Sequence, residues 1–226
     1  MTQKEFIEAI IAIYKKARHV ALPAGLLTPD KIRRGRNHSV SGLMEDLVAY
    51  FLLRNFPTID KITIDQPLTI RHPGKKTRVI YPDLLLIQKD VIKAVLDIKT
   101  DIGRNRKELV NIVVKSSQTI EELRGKVLSY NDGITKQSFE VTGDAHLQGF
   151  IVVISKLNIN SLLVEKHIAE IEARKQLMHS RLYFLTDGIH PNHAIYRGQL
   201  EGIQILPDFE LLIKDLKNIL QSKPFG

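Results

Sequence analysis

The alternation of apolar and polar positions opens with a helix. Phe6, Ile10, Ile13 and Ala17 recur at helical spacing, and Thr2-Gln3-Lys4-Glu5 ahead of them has the spacing of a capping box, so the first helix is predicted to run to about His19. Pro23, Gly25 and Pro29 then break it. Ser39 or Ser41 is placed to cap a second helix, whose apolar face is Leu43, Leu47, Tyr50 and Phe51 and whose limit is Pro57. From Lys61 to Arg71 the apolar positions Ile62, Ile64, Leu68 and Ile70 follow period two, the mark of a strand with one buried face. His72-Pro73-Gly74-Lys75 turns the chain into a second strand, Thr77 to Gln88, and Lys89-Asp90 turns it into a third, Val91 to Lys99. The last two are expected to pair as a hairpin, giving three antiparallel strands in a meander.

Beyond Asp101-Ile102-Gly103 the spacing changes. Leu109, Ile112, Val113, Ile120, Leu123 and Val127 predict one long helix closed by Asn131-Asp132-Gly133, with Gly125 a weak point in its last turn. Gly149 to Ser155 is a continuous apolar run, as in a strand buried on both faces and usually parallel to its neighbours. A helix from about Ser161 to Met178, a strand from Arg181 to Thr186, a polar loop from Asp187 to Arg197, a short strand near Ile203 and Ile205, and a helix from about Asp208 to Leu220 complete the prediction. The order of elements is mixed α/β.

Composition narrows the chemistry. Apolar residues make up 43% of the chain and charged residues 26%, which is globular, and 226 residues suit a single domain. With no Cys, disulfides, thiolate-bound zinc and a cysteine nucleophile are excluded. No apolar run approaches a membrane span and the amino terminus has no signal-peptide core, so a soluble, cytoplasmic protein with no membrane partner is expected. The formal charge of +8 favours a polyanionic partner.

Two carboxylates stand out. Asp83 lies between Pro82 and Leu84-Leu85-Leu86, and Asp97 between Val95-Leu96 and Ile98, each interrupting a strongly apolar strand. Burying such a group unpaired costs several kcal/mol, and a divalent cation shared by both would compensate them. Period two sets Asp97 and Lys99 on one side of their strand, with Leu96 and Ile98 facing the core. The alternative is a pair of strand-end carboxylates satisfied by turn amides or by Arg78 and Arg104.

The string Tyr81-Pro82-Asp83, followed after about thirteen residues by Asp97-Ile98-Lys99, resembles the PD-(D/E)xK motif of the restriction-endonuclease-like nucleases. The resemblance extends over roughly Ser39 to Ser155. It implies a restriction-endonuclease-like mixed central sheet flanked by helices, with residues 1–38 an N-terminal helix and basic loop, 39–155 the catalytic core and 156–226 C-terminal strands and helices of one nuclease domain. Asp83, Asp97 and the Ile98 carbonyl are then expected to ligate Mg²⁺, with Mn²⁺ able to substitute and Ca²⁺ supporting binding without cleavage. Lys99 assists the attacking water, and Glu45 on the preceding helix contacts a metal-bound water. The implied activity is endonucleolytic hydrolysis of double-stranded DNA, as a type II restriction enzyme acting as a homodimer beside a cognate DNA methyltransferase. Repair, recombination and phage-processing nucleases, a catalytically silent DNA-binding module, and a basic scaffold or RNA-binding protein are the competing classes.

Two basic groups are candidates for DNA contact: Arg33, Arg34, Arg36 and His38 ahead of the Glu45 helix, and Arg104, Arg106 and Lys107 behind the motif. A first-turn Glu such as Glu45 is also stabilised by the helix dipole whatever the function. His190 and His193 lack a third ligand nearby and make a poor zinc site. No Gly-x-Ser-x-Gly elbow and no Gly-rich phosphate loop occur.

Overall fold

The computed structural model describes residues 1–17, 39–70, 76–103, 106–157, 161–197 and 202–222. Among these lie six α-helices, α1 (Gln3–Ala17), α2 (Ser41–Asn55), α3 (Leu109–Leu123), α4 (Ser161–Ala173), α5 (Pro191–Arg197) and α6 (Pro207–Gln221). Nine strands accompany them: β1 (Lys61–Ile64), β2 (Leu68–Ile70), β3 (Arg78–Ile80), β4 (Leu84–Gln88), β5 (Val91–Lys99), β6 (Val127–Asn131), β7 (Ser138–Ser155), β8 (Ser180–Gly188) and β9 (Ile203–Ile205). All nine strands join one sheet. The protein is therefore mixed α/β, with a central mixed sheet flanked by helices. Among the described residues no helix is long and apolar enough to cross a membrane.

Several local expectations hold. The capping box forms, since the Glu5 carboxylate accepts from the Thr2 N–H at 2.7 Å and the Thr2 hydroxyl accepts from the Glu5 N–H at 3.2 Å. β4 and β5 pair antiparallel across Lys89 and Asp90, which take left-handed φ values of 49° and 60°. Two successive positive φ angles match the twist of a tight hairpin. The apolar run at the end of β7 is parallel to β5 on one side and to β8 on the other. α3 and α4 are the two crossovers, which parallel neighbours require.

Other expectations are corrected. α2 starts at Ser41 behind Val40, and neither serine caps it; the two hydroxyls bond each other at 3.0 Å. The predicted strand Lys61–Arg71 is two strands, because Asp65 adopts a φ of 46° and turns the chain. Its halves take different partners, β1 pairing with β4 while β2 pairs with β3 and β6. The predicted strand Thr77–Gln88 is likewise divided at Tyr81-Pro82-Asp83, Pro being unable to donate to a ladder. The helix expected to reach Asn131 stops at Leu123, since Gly125 sits at φ +62° and ends it in the left-handed conformation. Val127–Asn131 is instead β6, the antiparallel partner of the first part of β7. The loop after β8 contains α5, which starts on Pro191 because a missing N–H costs nothing in the first turn.

The apolar pattern of β4, β5, β7 and β8 sorts into two faces. Leu84, Leu86, Leu96, Ile98, Phe150, Val152 and Tyr183 pack under α1, α2 and α6. On the other face, Ile151, Val153 and Phe184 lie against α3 and α4. Farther along, Leu85, Ile87 and Ile92 pack against Leu68, Ile70, Leu128 and Val141, so the β6-β2-β3 end of the sheet curls back over the β4–β5 hairpin. That curl returns the chain from β3 to β4 in three residues, Tyr81-Pro82-Asp83, and so sets them at a cleft.

Beside the curl, β7 passes close to the end of α3 at Gly143, where a Cβ would run into the backbone oxygen of Leu123. Neither partner is a flexible side chain. Gly143→Ala is expected to destabilise the protein by about 1–3 kcal/mol, the usual cost of overpacking, seen as a lower thermal midpoint; an unchanged midpoint would show that the approach is not needed.

Candidate active site

The β4–β5 register pairs Leu84 with Leu96, so one further residue sets Asp83 opposite Asp97. β4 ends there, and the Ile98 N–H, left without a ladder partner, donates to the Asp83 carboxylate at 2.6 Å. A residue's N–H and C=O leave a strand on the same side. The Ile98 carbonyl therefore faces the same gap.

Lys99 follows on the side of the strand that carries Asp97. Its ammonium group forms a short hydrogen-bonded ion pair with the Asp97 carboxylate and lies 4.0 Å from Asp83 Oδ2. The three side chains retain between 24% and 33% of their exposure, enough to admit a substrate and little enough to remove most of their water. Tyr81, Pro82, Val95, Ser116, Thr119 and Ile120 line the rest of an open cleft of about 320 Å³. The α3 residues form the wall opposite the motif.

Burial, first, and a hydrogen bond to the neighbouring Asp97 carboxylate, second, push the Asp83 carboxyl up to about 7, against the opposing pull of the Ile98 N–H and the Lys99 charge. The two carboxylates thus repel each other in a partly dry setting, with Lys99 offsetting only part of the charge. Glu45, on α2, also has its carboxyl raised, by partial burial and then by the charges of Asp65 and Asp46; Lys99 and Asp97 act on it in opposite directions. It stands at the electrostatic edge of the pair.

The alternative partners are otherwise engaged or undescribed. Arg78 forms its ion pair with Glu122 on α3. Arg104 lies outside the described residues, as do Arg33, Arg34, Arg36 and His38. Arg106 opens a short 3-10 turn before α3, and Lys107 beside it is exposed. The His190 ring is buried against Tyr14, and its Nδ1 accepts from the Asn192 N–H at 3.1 Å. Its neighbour His193 lies 5.9 Å away, ring to ring.

Two residues near the site were given no role by the sequence pattern, although Tyr81 stands in the motif string itself. Asp65 donates its backbone N–H to the Asp83 carbonyl at 2.9 Å and, by the β1–β4 register, extends the row Asp83–Asp97 by one strand. Tyr81 stands 66% exposed at the cleft. Neither breaks an apolar run, which is the signal that marked the other two aspartates.

The donors suit a hard cation: two carboxylates and a peptide carbonyl, all oxygen. Among the described residues no three His, Cys, Asp or Glu side chains converge into a ready cage. Mg²⁺ does not need one, since it keeps several waters and is commonly held by one or two carboxylates. The residues fit the ion that the motif implies. Compared with family models, with curated proteins and with solved structures, the chain matches none of them.

The raised Asp83 carboxyl has a consequence for stability. Between the unfolded value of 3.8 and about 7, the folded protein binds more protons than the unfolded chain, so stability falls as pH rises through that window. Without divalent cations, Asp83→Asn is expected to be more stable than wild type above pH ~7 and to lose that advantage below pH ~4. Thermal midpoints across pH read the difference, and a constant gap would refute it.

Proposed function

We infer that the protein is a Mg²⁺-dependent endonuclease of the PD-(D/E)xK kind that hydrolyses phosphodiester bonds in DNA. The observation that carries this reading is the convergence of Asp83, Asp97 and Lys99 on one row of the β4–β5 hairpin, at a cleft, with the Ile98 backbone turned into the same gap. Helix α2, the antiparallel strands β1, β4 and β5, helix α3 and the parallel strand β7 follow one another in the chain, with β2–β3 and β6 interposed, and this arrangement supports a restriction-endonuclease-like core. The formal charge of +8 suits a nucleic-acid partner.

Asp83, Asp97 and the Ile98 carbonyl would hold the ion. Bound there, it supplies charge to the phosphoryl oxygens and makes a water acidic enough to attack. Lys99, already beside Asp97, offers its Nζ protons to the charge that gathers on the phosphorane and orients the attacking water. Glu45, with its raised carboxyl, is suited to hold the proton that water releases. Asp83 must give up its own proton to serve as a ligand.

The finer assignment is a sequence-specific type II restriction enzyme cutting double-stranded DNA. Cutting both strands at one site is simplest for a two-fold dimer, so a homodimer and a cognate methyltransferase belong to the same reading.

Plasmid DNA incubated with the protein and Mg²⁺ or Mn²⁺ is expected to give discrete fragments. A smear would retain the nuclease and remove its sequence specificity, whereas intact plasmid would remove the activity. Asp97→Ala should lose cleavage by about 10³-fold or more, and Lys99→Ala by about 10²–10³-fold, the range seen when one stabilising group at a developing charge is removed. Both variants should keep most of their DNA binding in Ca²⁺. Cleavage by Asp97→Ala at the wild-type rate would overturn the assignment.

A further inference from the structure

The cleft at Asp83 has an unequal lining. Beside the charged groups, Asp83, Asp97 and Lys99, lies an apolar wall of Ile80, Tyr81, Pro82 and Val95, and Ser116, Thr119 and Ile120 of α3 complete the lining. Tyr81 is a large aromatic left 66% exposed, two residues from Asp83. Its backbone is restrained on both sides. Ile80 is paired in the β2–β3 ladder, and the residue before a proline is confined to extended conformations. The point from which the ring projects is thus set at the cleft, and fixing the ring on a ligand costs only two side-chain torsions.

Hydrolysis of a phosphodiester needs only the charged side of this cleft. The apolar wall calls for something apolar attached to the phosphate, and in a nucleic acid that is the face of a base. Two residues of extended chain span about 6.6 Å, the scale of one nucleotide step along an unstacked strand. In a stacked duplex each base face is covered by its neighbours and only edges are exposed. A tyrosine face can therefore be covered by a base only where that base has left the stack.

We propose that Tyr81 and the apolar wall beside it form a subsite for an unstacked nucleobase adjacent to the scissile phosphate. The base at the cut is accordingly one that leaves the stack of the double-stranded site on binding, and a nucleotide already unpaired there reaches the subsite at lower cost. Thr119, on the α3 wall of the same cleft, supplies a hydroxyl within the lining for the base edge. The subsite rests on the nuclease reading above, since it positions the base whose phosphate meets Asp83 and Asp97.

The test compares a fully paired oligonucleotide duplex with the same duplex carrying one mismatch or one unpaired nucleotide at the cut. Wild type, Tyr81→Ala and Tyr81→Phe are assayed in Mg²⁺. Wild type is expected to cut the unpaired substrate at least several-fold faster. Tyr81→Ala should raise KM on it by about tenfold with kcat little changed, the scale of one aromatic–base stack, while Tyr81→Phe, which keeps the ring face, stays within about twofold. In Ca²⁺, 2-aminopurine at the unpaired position should change fluorescence on binding wild type and Tyr81→Phe but not Tyr81→Ala. Equal rates on both substrates, or an unchanged KM and probe signal in Tyr81→Ala, would overturn the subsite while leaving the nuclease intact. Failure of wild type to cut any DNA would overturn the nuclease reading and the subsite with it.

Discussion

Everything at the site follows from two carboxylates placed face to face at the point where an antiparallel ladder runs out. The β4–β5 register sets Asp83 opposite Asp97, and the end of β4 frees the Ile98 N–H to hold one of them. Side chains at directly opposed positions lie about 4.5–5.5 Å apart, close enough that two negative charges are costly in a half-dry cleft. One ammonium group, Lys99, offsets part of that cost, and a raised Asp83 carboxyl records the remainder. Such a pair retains unspent affinity for positive charge. A protein selected for stability alone would gain by replacing it with apolar residues.

The surrounding fold keeps the pair in place. β5 is held antiparallel by β4 and parallel by β7, and its Leu96 and Ile98 are locked into the core beneath α1, α2 and α6. Asp97 and Lys99 alternate with those anchors, so their direction is fixed by the pleat. β7 does two jobs along its length, pairing on one edge with β6 in its first part and with β8 in its second, while β5 lies along its other edge from Thr142 on. The change of partner lets the β6-β2-β3 end curl over and deliver Tyr81-Pro82-Asp83 to the cleft. Scaffold and site are joined by only three residues there.

How much was legible in the chain depended on whether a residue broke a pattern. Asp83 and Asp97 did so, because a carboxylate inside Leu84-Leu85-Leu86 or beside Leu96 and Ile98 carries a desolvation cost that demands a reason. The hairpin was legible because Lys89-Asp90 is a polar pair between two apolar runs. Spacing misled where two periods agree: Leu123 and Val127 are four residues apart, which continues a helix as well as it starts a strand, and only the left-handed Gly125 separates them. The first part of β7 was hidden because its inward positions Phe139, Val141 and Leu147 are interrupted by Gly143-Asp144-Ala145-His146, and the division of Lys61–Arg71 because one left-handed aspartate, Asp65, leaves the apolar alternation intact. Asp65 had no signature at all, and Tyr81, although it opens the Tyr81-Pro82-Asp83 string, carried none for a role of its own. A loop aspartate and an exposed ring violate nothing until three-dimensional proximity to Asp83 gives them meaning.

Whether Asp83 and Asp97 together hold a divalent cation is read by calorimetric titration of the purified protein with Mn²⁺ in two buffers of different ionisation enthalpy near pH 6. Wild type is predicted to bind the ion with release of a proton from Asp83, and both Asp83→Asn and Asp97→Asn to lose that binding while remaining folded. Binding that persists unchanged in either variant, or no binding by wild type, would mean that the two carboxylates do not form the cation site.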